Sequence, residues 1–280
     1  MDKNMWVLKI SLMKPSFIPG RMDLLVAVDR KKEIIKQLEN GGMVKVGDLS
    51  KRFGVTDETI RRDLEKLESD GVILRTHGGA VLNPKDNGFG SEPPVLHREM
   101  IHLEQKKAIG RYAASIVKEG EVIALDASTT GLQLVKHLPN KPLTILTYSF
   151  AIANELIKKK EISVILIGGN LDSDSMAITG KSAENMVEGY HVDKFFFSCQ
   201  GFDYQRGVSE PYESHARVKE KILEISDDLI LIADSSKFQR KSLIRLLGLE
   251  DVDLLITDEG MPAHEVSELG NKGVNIAIAN

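Results

Sequence analysis

One cysteine and one tryptophan stand in this 280-residue chain, aromatic residues make up only 5% of it, and no stretch approaches eighteen consecutive apolar residues. The lone Cys199 excludes an intramolecular disulfide and leaves no thiolate partner for a zinc finger. The missing apolar run argues against a membrane-spanning helix. A secretory signal is not found either, because Lys9 interrupts the fairly apolar stretch from Met5 to Met13 and Pro15 and Pro19 follow it. The chain is therefore expected in the cytoplasm and off the membrane. What is present, 42% hydrophobic and 28% charged residues, is ordinary for a globular protein and excludes wholesale disorder. At roughly 150 residues per domain the length allows about two domains, each able to bury a core.

Excess charge of one sign is also small, at −4 overall, but it is unevenly spread. Residues 1–28 carry four Lys/Arg and two Asp/Glu, residues 29–82 carry eleven against ten, and residues 83–280 carry 22 against 29. An acidic body repels DNA phosphates, so a nucleic-acid face must be local and must lie toward the N-terminus.

Residues 1–21 show no periodicity and read as a disordered extension, or as the product of an upstream start, with Met22 opening the structured part. From Asp29, Ile34, Ile35 and Leu38 recur at helical spacing until Asn40-Gly41-Gly42 stops the run. Val44 and Val46 form a short extended piece, and Asp48 to Phe53 a second helix. Gly54-Val55-Thr56 reads as a tight turn, and Thr56 can cap a third helix whose stripe is Ile60, Leu64 and Leu67. Two apolar runs, Val72-Ile73-Leu74 and Ala80-Val81-Leu82, flank Gly78-Gly79 and read as a β-hairpin. Three helices and a hairpin over 22–82 outline a winged helix-turn-helix.

Residues 83–95, rich in Pro, Gly and Asn, read as a linker. Over 96–280 a leading helix gives way to apolar strands alternating with amphipathic helices, expected at 122–125, 143–146, 164–167, 195–197, 229–233, 254–256 and 274–278. That alternation predicts an α/β domain with a mainly parallel sheet covered on both faces.

On the third helix, Thr56, Asp57, Glu58, Thr59, Arg61 and Arg62 occupy the N-terminal turns, the part of a recognition helix that enters a major groove. Arginine suits bidentate contact with guanine or a phosphate, and Thr59 can meet a thymine methyl. Arg75 and His77 on the hairpin are expected at a phosphate or the minor groove. The bland alternative is a solvated helix face with an Arg61–Glu65 pair and an Arg62–Lys66 repulsion.

The run Val55-Thr56-Asp57-Glu58-Thr59-Ile60-Arg61-Arg62-Asp63-Leu64, with Leu67 and Arg75-Thr76-His77-Gly78-Gly79-Ala80, resembles the DeoR family of bacterial transcription regulators. The resemblance covers roughly residues 24–260. It implies a winged helix joined to a sugar-phosphate sensor similar in fold to ribose-5-phosphate isomerase, and it favours repression relieved by ligand. The implied partners are double-stranded operator DNA and a phosphorylated sugar, and the helix-turn-helix suggests a homo-oligomer on paired half-sites.

Ligands of open parallel α/β sheets bind beyond the carboxyl ends of the strands. The sharpest such segment is Asp126-Ala127-Ser128-Thr129-Thr130-Gly131, where three hydroxyls and helix N–H groups can surround an anion. Asp126 can accept from sugar hydroxyls or hold the loop, and Lys219 or Lys237 can balance phosphate charge. Thr147-Tyr148, Gly168-Gly169 and Asp234 complete the expected effector rim, with Ser198 to Gly201 and Thr257-Asp258 at further strand ends. Family members usually show Thr-Asn where this chain has Thr147-Tyr148, so Tyr148 is expected to alter the shape offered to the ligand.

A second reading, a sugar-phosphate isomerase carrying an accessory winged helix, needs a carboxylate base, for which Asp203 and Glu213 are the candidates. It is weakened because the second acid of the isomerase pattern falls on Arg206. A third reading uses the winged helix as a scaffold for protein contacts. Gly180-Lys181-Ser182 lacks the earlier glycine of a phosphate-binding P-loop, since Ser175 stands there. Asp172-Ser173-Asp174-Ser175-Met176 lacks a calcium loop's third oxygen ligand and glycine. No cofactor, metal or catalytic residue is expected.

Overall fold

A computed structural model describes residues 30–31, 33–38, 43–69, 72–76, 78–82 and 95–280. The expected extension over 1–21, nearly all of the expected linker, and His77 lie outside the described residues. The chain divides into two compact units, with the division after Leu82.

The first unit holds α1 (33–38), β1 (Met43–Lys45), α2 (Val46–Phe53), α3 (Asp57–Ser69), β2 (Ile73–Thr76) and β3 (Gly79–Leu82). Ile34, Ile35, Leu38, Leu49, Ile60, Leu64 and Leu67 are all at most 1% exposed and make up the buried faces of the three helices. Gly54 ends α2 in the left-handed region at φ 64°, and the Thr56 hydroxyl accepts the Thr59 N–H at 3.2 Å to begin α3. The hairpin read from the sequence is the outer part of a three-stranded antiparallel sheet in the order β1-β3-β2. Val46 does not extend the strand; it opens α2, buried together with Leu49. Close approach of β1 to β3 requires a glycine at 79, where a Cβ would sit 1.9 Å from the Val44 carbonyl oxygen.

The second unit begins with α4 (Val95–Met100), α5 (Leu103–Ser115), β4 (Val122–Leu125), α6 (Thr129–His137), β5 (Leu143–Thr147), α7 (Phe150–Leu156) and β6 (Ile162–Leu166). It continues through β7 (Asn170–Asp172), β8 (Ala177–Thr179), α8 (Lys181–Val187), β9 (Val192–Phe197), β10 (Gly201–Asp203), β11 (Gly207–Glu210) and α9 (Glu213–Glu224). The last elements are β12 (Ser226–Ile232), β13 (Ile244–Leu247), β14 (Leu254–Asp258), α10 (Ala263–Asn271) and β15 (Ile276–Ala279). Seven parallel strands lie in the order β15-β14-β12-β9-β4-β5-β6. One face packs on α5, α6 and α7 through Ile109, Leu134, Val135 and Ile152. The other packs on α8, α9 and α10 through Val187, Val218, Ile222 and Leu269.

From β4 the chain winds outward to β5 and β6, then returns to β9 on the opposite side of β4 and winds the other way. The crevice of a doubly wound sheet opens where the winding reverses, here between the carboxyl ends of β4 and β9. Two small antiparallel sheets, β7-β8 and β10-β11-β13, were not legible in the sequence. Their strands are three or four residues long, too short for a two-residue alternation to stand out.

Candidate functional site

Two surfaces gather the candidate residues, one in each unit. On α3, Thr56, Asp57, Glu58, Arg61 and Arg62 are exposed along the first turns, and Thr59 is half-buried. Asp57 and Glu58 sit where the helix dipole favours negative charge. Arg62 Nε lies 3.4 Å from Glu58, with both side chains mostly exposed. Asp63 faces inward and meets Arg30 at 2.5 Å, tying the recognition helix to the residues just ahead of α1. Arg75 donates from its guanidinium to the Arg61 main-chain oxygen at 3.4 Å, while its own N–H donates to Glu68 at 3.3 Å. Its Nε is buried without a partner. Arg75 therefore braces the wing against the recognition helix.

The second surface is the cleft at the β4/β9 crevice. Asp126 is fully buried there and staples the two strand ends. Its Oδ1 accepts the Ser128 N–H at 3.0 Å and its Oδ2 accepts the Ser198 N–H at 2.8 Å. Lys219 on α9 stands 2.9 Å from the same Oδ2, donates to the Ser198 carbonyl at 2.6 Å and pairs with Glu210. Burial alone would push the Lys219 ammonium down, but Asp126 and Glu210 hold it charged, well above the ordinary lysine range. Lys219 is thus neutralised from within by two carboxylates rather than kept as an open countercharge.

Around this floor stand the groups of an anion site. Ser128 caps α6 by accepting the Gly131 N–H at 3.0 Å, and Thr129 and Thr130 are buried beside it on the first helical turn. Arg98, Lys106 and Lys237 bring three further cations to the same cleft. Asp234 lies at the other wall, after β12. Burial raises its carboxyl, yet Lys237, the hydrogen bond from Ser236 and Lys106 outweigh that and hold it below the usual range. Its Oδ1 accepts from Ser236, while its Oδ2 is buried without a partner. Tyr148 is also fully buried, with its ring edge-on to His215 at 6.1 Å. The Tyr148 hydroxyl is buried without a hydrogen-bond partner. Burial drives the Tyr148 phenol up and the His215 imidazole down to about 4, so both are neutral at pH 7.

Of the effector residues expected from the sequence, Asp126, Ser128, Thr129, Thr130, Tyr148, Lys219, Asp234 and Lys237 line this cleft. Three do not. The Thr147 hydroxyl donates to the Leu125 carbonyl at 2.8 Å and knits β5 to β4. Gly168 and Gly169 follow the edge strand β6 and are exposed, far along the sheet order from β9. At Gly169 a Cβ would meet the Thr179 carbonyl at 2.7 Å, so that glycine serves the β7-β8 hairpin. Asp258 instead binds the Ser235 N–H at 2.7 Å and borders an adjoining cleft. The two carboxylates named as candidates for isomerase chemistry do not line this cleft either. Asp203 accepts turn N–H groups of Gln205 and Arg206, and Glu213 is an exposed partner of Arg217.

Sequence reasoning missed Arg98, Lys106, Glu210 and His215. Two of these had a signal. Lys106 shares a helical stripe with Ile109, Gly110 and Ala113, and His215 and Lys219 share one with Ile222, all buried. A charged residue on a buried stripe must find a polar partner, which makes it a site candidate. Among the described residues no cluster suited to a metal ion is present, and no helix is long and apolar enough to cross a membrane.

A helix-turn-helix with an arginine-bearing recognition helix, followed by a doubly wound unit with a cleft, defines the class of DNA-binding transcription regulators that carry a ligand-sensing domain. Residues 30–86 match the DeoR-like helix-turn-helix domain and residues 101–259 the DeoR C terminal sensor domain. The chain belongs to the DeoR family. It is 42% identical to the HTH-type transcriptional regulator YulB of Bacillus subtilis (strain 168), over 90% of this chain and 96% of that protein. It is 31% identical to a putative aga operon transcriptional repressor of Escherichia coli O157:H7, over 89% of this chain and 93% of that one. Among solved structures, ribose 5-phosphate isomerase A of Methanocaldococcus jannaschii matches at 15% identity and a TM-score of 0.37, covering 49% of this chain and 55% of that one. A likeness this distant carries no argument about function.

Proposed function

We propose that this regulator is a repressor of carbohydrate-metabolism genes, working in the cytoplasm as a homo-oligomer, whose hold on its operator is loosened by a phosphorylated sugar. The recognition helix α3 supplies the DNA contacts through Thr56, Thr59, Arg61 and Arg62, flanked by Asp57 and Glu58. Arg75 supports them from the wing, where His77 also belongs.

One observation carries the sensing half of this reading. A single cleft sets a helix N-terminus with buried Thr129 and Thr130 beside Lys106, and places an unpartnered carboxylate oxygen of Asp234, with Lys237 in the same turn, on its opposite wall. The first group suits a phosphate. The second needs a hydrogen-bond donor, which a sugar hydroxyl provides. β4 and β12 are separated by one strand, so the two walls are about 10 Å apart, a span an extended phosphorylated sugar can bridge. Asp126, committed to Ser128, Ser198 and Lys219, holds the cradle rather than the sugar.

The test is calorimetric titration of the full chain with a panel of phosphorylated and unphosphorylated sugars. At least one phosphorylated sugar should bind, and the isosteric Thr130→Val should weaken it by about 1.5–3 kcal/mol through loss of a hydrogen bond to a charged oxygen. Equal binding of the unphosphorylated sugar, or full affinity in Thr130→Val, would move the phosphate away from this loop.

A further inference from the structure

The first described element after the 83–94 segment is α4, and its main chain enters the anion cradle. The carbonyl oxygen of Arg98 accepts a hydrogen bond from the Lys106 ammonium and another, at 3.2 Å, from the Thr129 hydroxyl. Both donors are buried, and both line the cleft. The rest of α4 is clamped on two sides. Glu99 pairs with Lys136 and accepts from Gln133 at 3.3 Å, both on α6. Val95 donates its N–H to the Asp174 carbonyl at 2.8 Å, and the Arg98 guanidinium donates to the Ser175 carbonyl at 3.3 Å, both in the β7-β8 turn. Where α4 passes into α5, His102 holds a left-handed backbone at φ 52°, a conformation that a non-glycine residue keeps only when its surroundings impose it.

We infer that α4 is the moving part of the sensor: an anion bound at Ser128–Gly131 takes Lys106 and Thr129 away from the Arg98 carbonyl and releases α4. This inference rests on the anion cradle of the preceding section. A carbonyl oxygen carries only partial charge, whereas a phosphate oxygen is ionised and forms charge-assisted hydrogen bonds roughly twice as strong. The single Thr129 O–H cannot serve both acceptors, and the Lys106 ammonium, although it has three N–H groups, is drawn toward the stronger one. Occupancy therefore costs the docked α4 its Thr129 contact and weakens its Lys106 contact, and docked and released α4 differ in their affinity for the anion. That difference is what a ligand needs in order to shift a conformational equilibrium. His102 is the joint about which the released helix turns. α4 is the described sensor element that stands next in sequence to the DNA-binding unit, so its release is a change the chain can pass on.

Hydrogen exchange of the full chain, with and without inorganic phosphate, tests this directly. Exchange should slow at residues 128–131 and quicken at 96–103. Slowing at 128–131 with unchanged exchange at 96–103 would overturn the inference while leaving the anion site standing. No change at either place would remove the site and the inference together. A second variant acts without ligand. Glu99→Ala unclamps α4 from α6 but removes no donor of the cradle, so phosphate-free operator affinity should fall several-fold toward that of the phosphate-loaded wild-type chain. Wild-type operator affinity in folded Glu99→Ala would contradict the inference.

Discussion

Three arginines and one histidine show how differently the same residue types are employed. Arg61 and Arg62 point away from the core, and the Arg62–Glu58 contact is a mostly exposed pair worth at most about 1 kcal/mol, easily exchanged for a DNA contact. Arg62→Ala should weaken operator binding by about 1–3 kcal/mol if the side chain reads a base, or lower the salt slope by about one if it holds a phosphate. Titrations at several salt concentrations distinguish these outcomes, and unchanged affinity in a folded Arg61→Ala, Arg62→Ala double variant would refute the placement. Arg30 is the opposite case, because its pair with Asp63 is largely removed from water. Asp63→Ala strands that charge and should cost the first unit about 3–5 kcal/mol, read as a lower denaturation midpoint.

His215 makes stability depend on pH. Its folded-state value of about 4 lies below the ordinary 6.5, because burial disfavours the imidazolium. Below pH 6.5 the unfolded chain binds the proton that the folded chain refuses, so stability is complete above that pH and falls as pH drops toward 4. The loss approaches about 3 kcal/mol for the sensor unit. Melting curves between pH 7 and pH 4.5 should show the decline, and His215→Gln should flatten it. An equally steep decline in the variant would assign the effect to other groups.

At the scale of elements, much of the architecture was legible because period and punctuation agreed. The stripe Ile60, Leu64, Leu67 fixed which face of α3 is buried, and Thr56 marked its start. The polar segments after β4, β9 and β12 indicated a rim. Sequence could not show which of those rims meet, since that depends on strand order. Gly168-Gly169 follows β6 at the sheet edge and Asp126 follows β4 at the reversal, yet the two segments look equally suited to a ligand in the chain. Nor could it show that Lys219 spends its charge on Glu210, a residue on the far side of a turn. Two glycines record close approaches of elements. Gly79→Ala should break the β1–β3 pairing, and Gly110→Ala should force α5 off α6, where a Cβ would stand 2.7 Å from the Gln133 main chain. Loss of the cooperative melt of the respective unit is the expected result; a wild-type melt would mean that the helices or strands shift at little cost.

For the whole molecule, charge divides the labour. The residues up to 82 carry a small positive balance and the remainder is acidic, so attraction for DNA must come from the N-terminal unit while the body repels phosphates. A chain starting at Met22 should bind operator DNA like the full chain, since residues 1–21 lack the periodicity of a packed element; weaker binding on truncation would give that segment a role in the complex. Ligand binding in the sensor can affect the operator only through a difference in affinity between DNA-competent and DNA-incompetent arrangements, typically about 1–3 kcal/mol.

The most direct measurement is operator affinity of the full chain, at one fixed salt concentration, with and without each of a panel of sugar phosphates and their unphosphorylated parents. At least one phosphorylated sugar should lower operator affinity by about 5- to 150-fold, the range corresponding to that coupling, while its unphosphorylated parent has no effect. An operator affinity indifferent to every sugar phosphate that binds the cleft, or one shifted equally by the unphosphorylated sugar, would contradict the proposal.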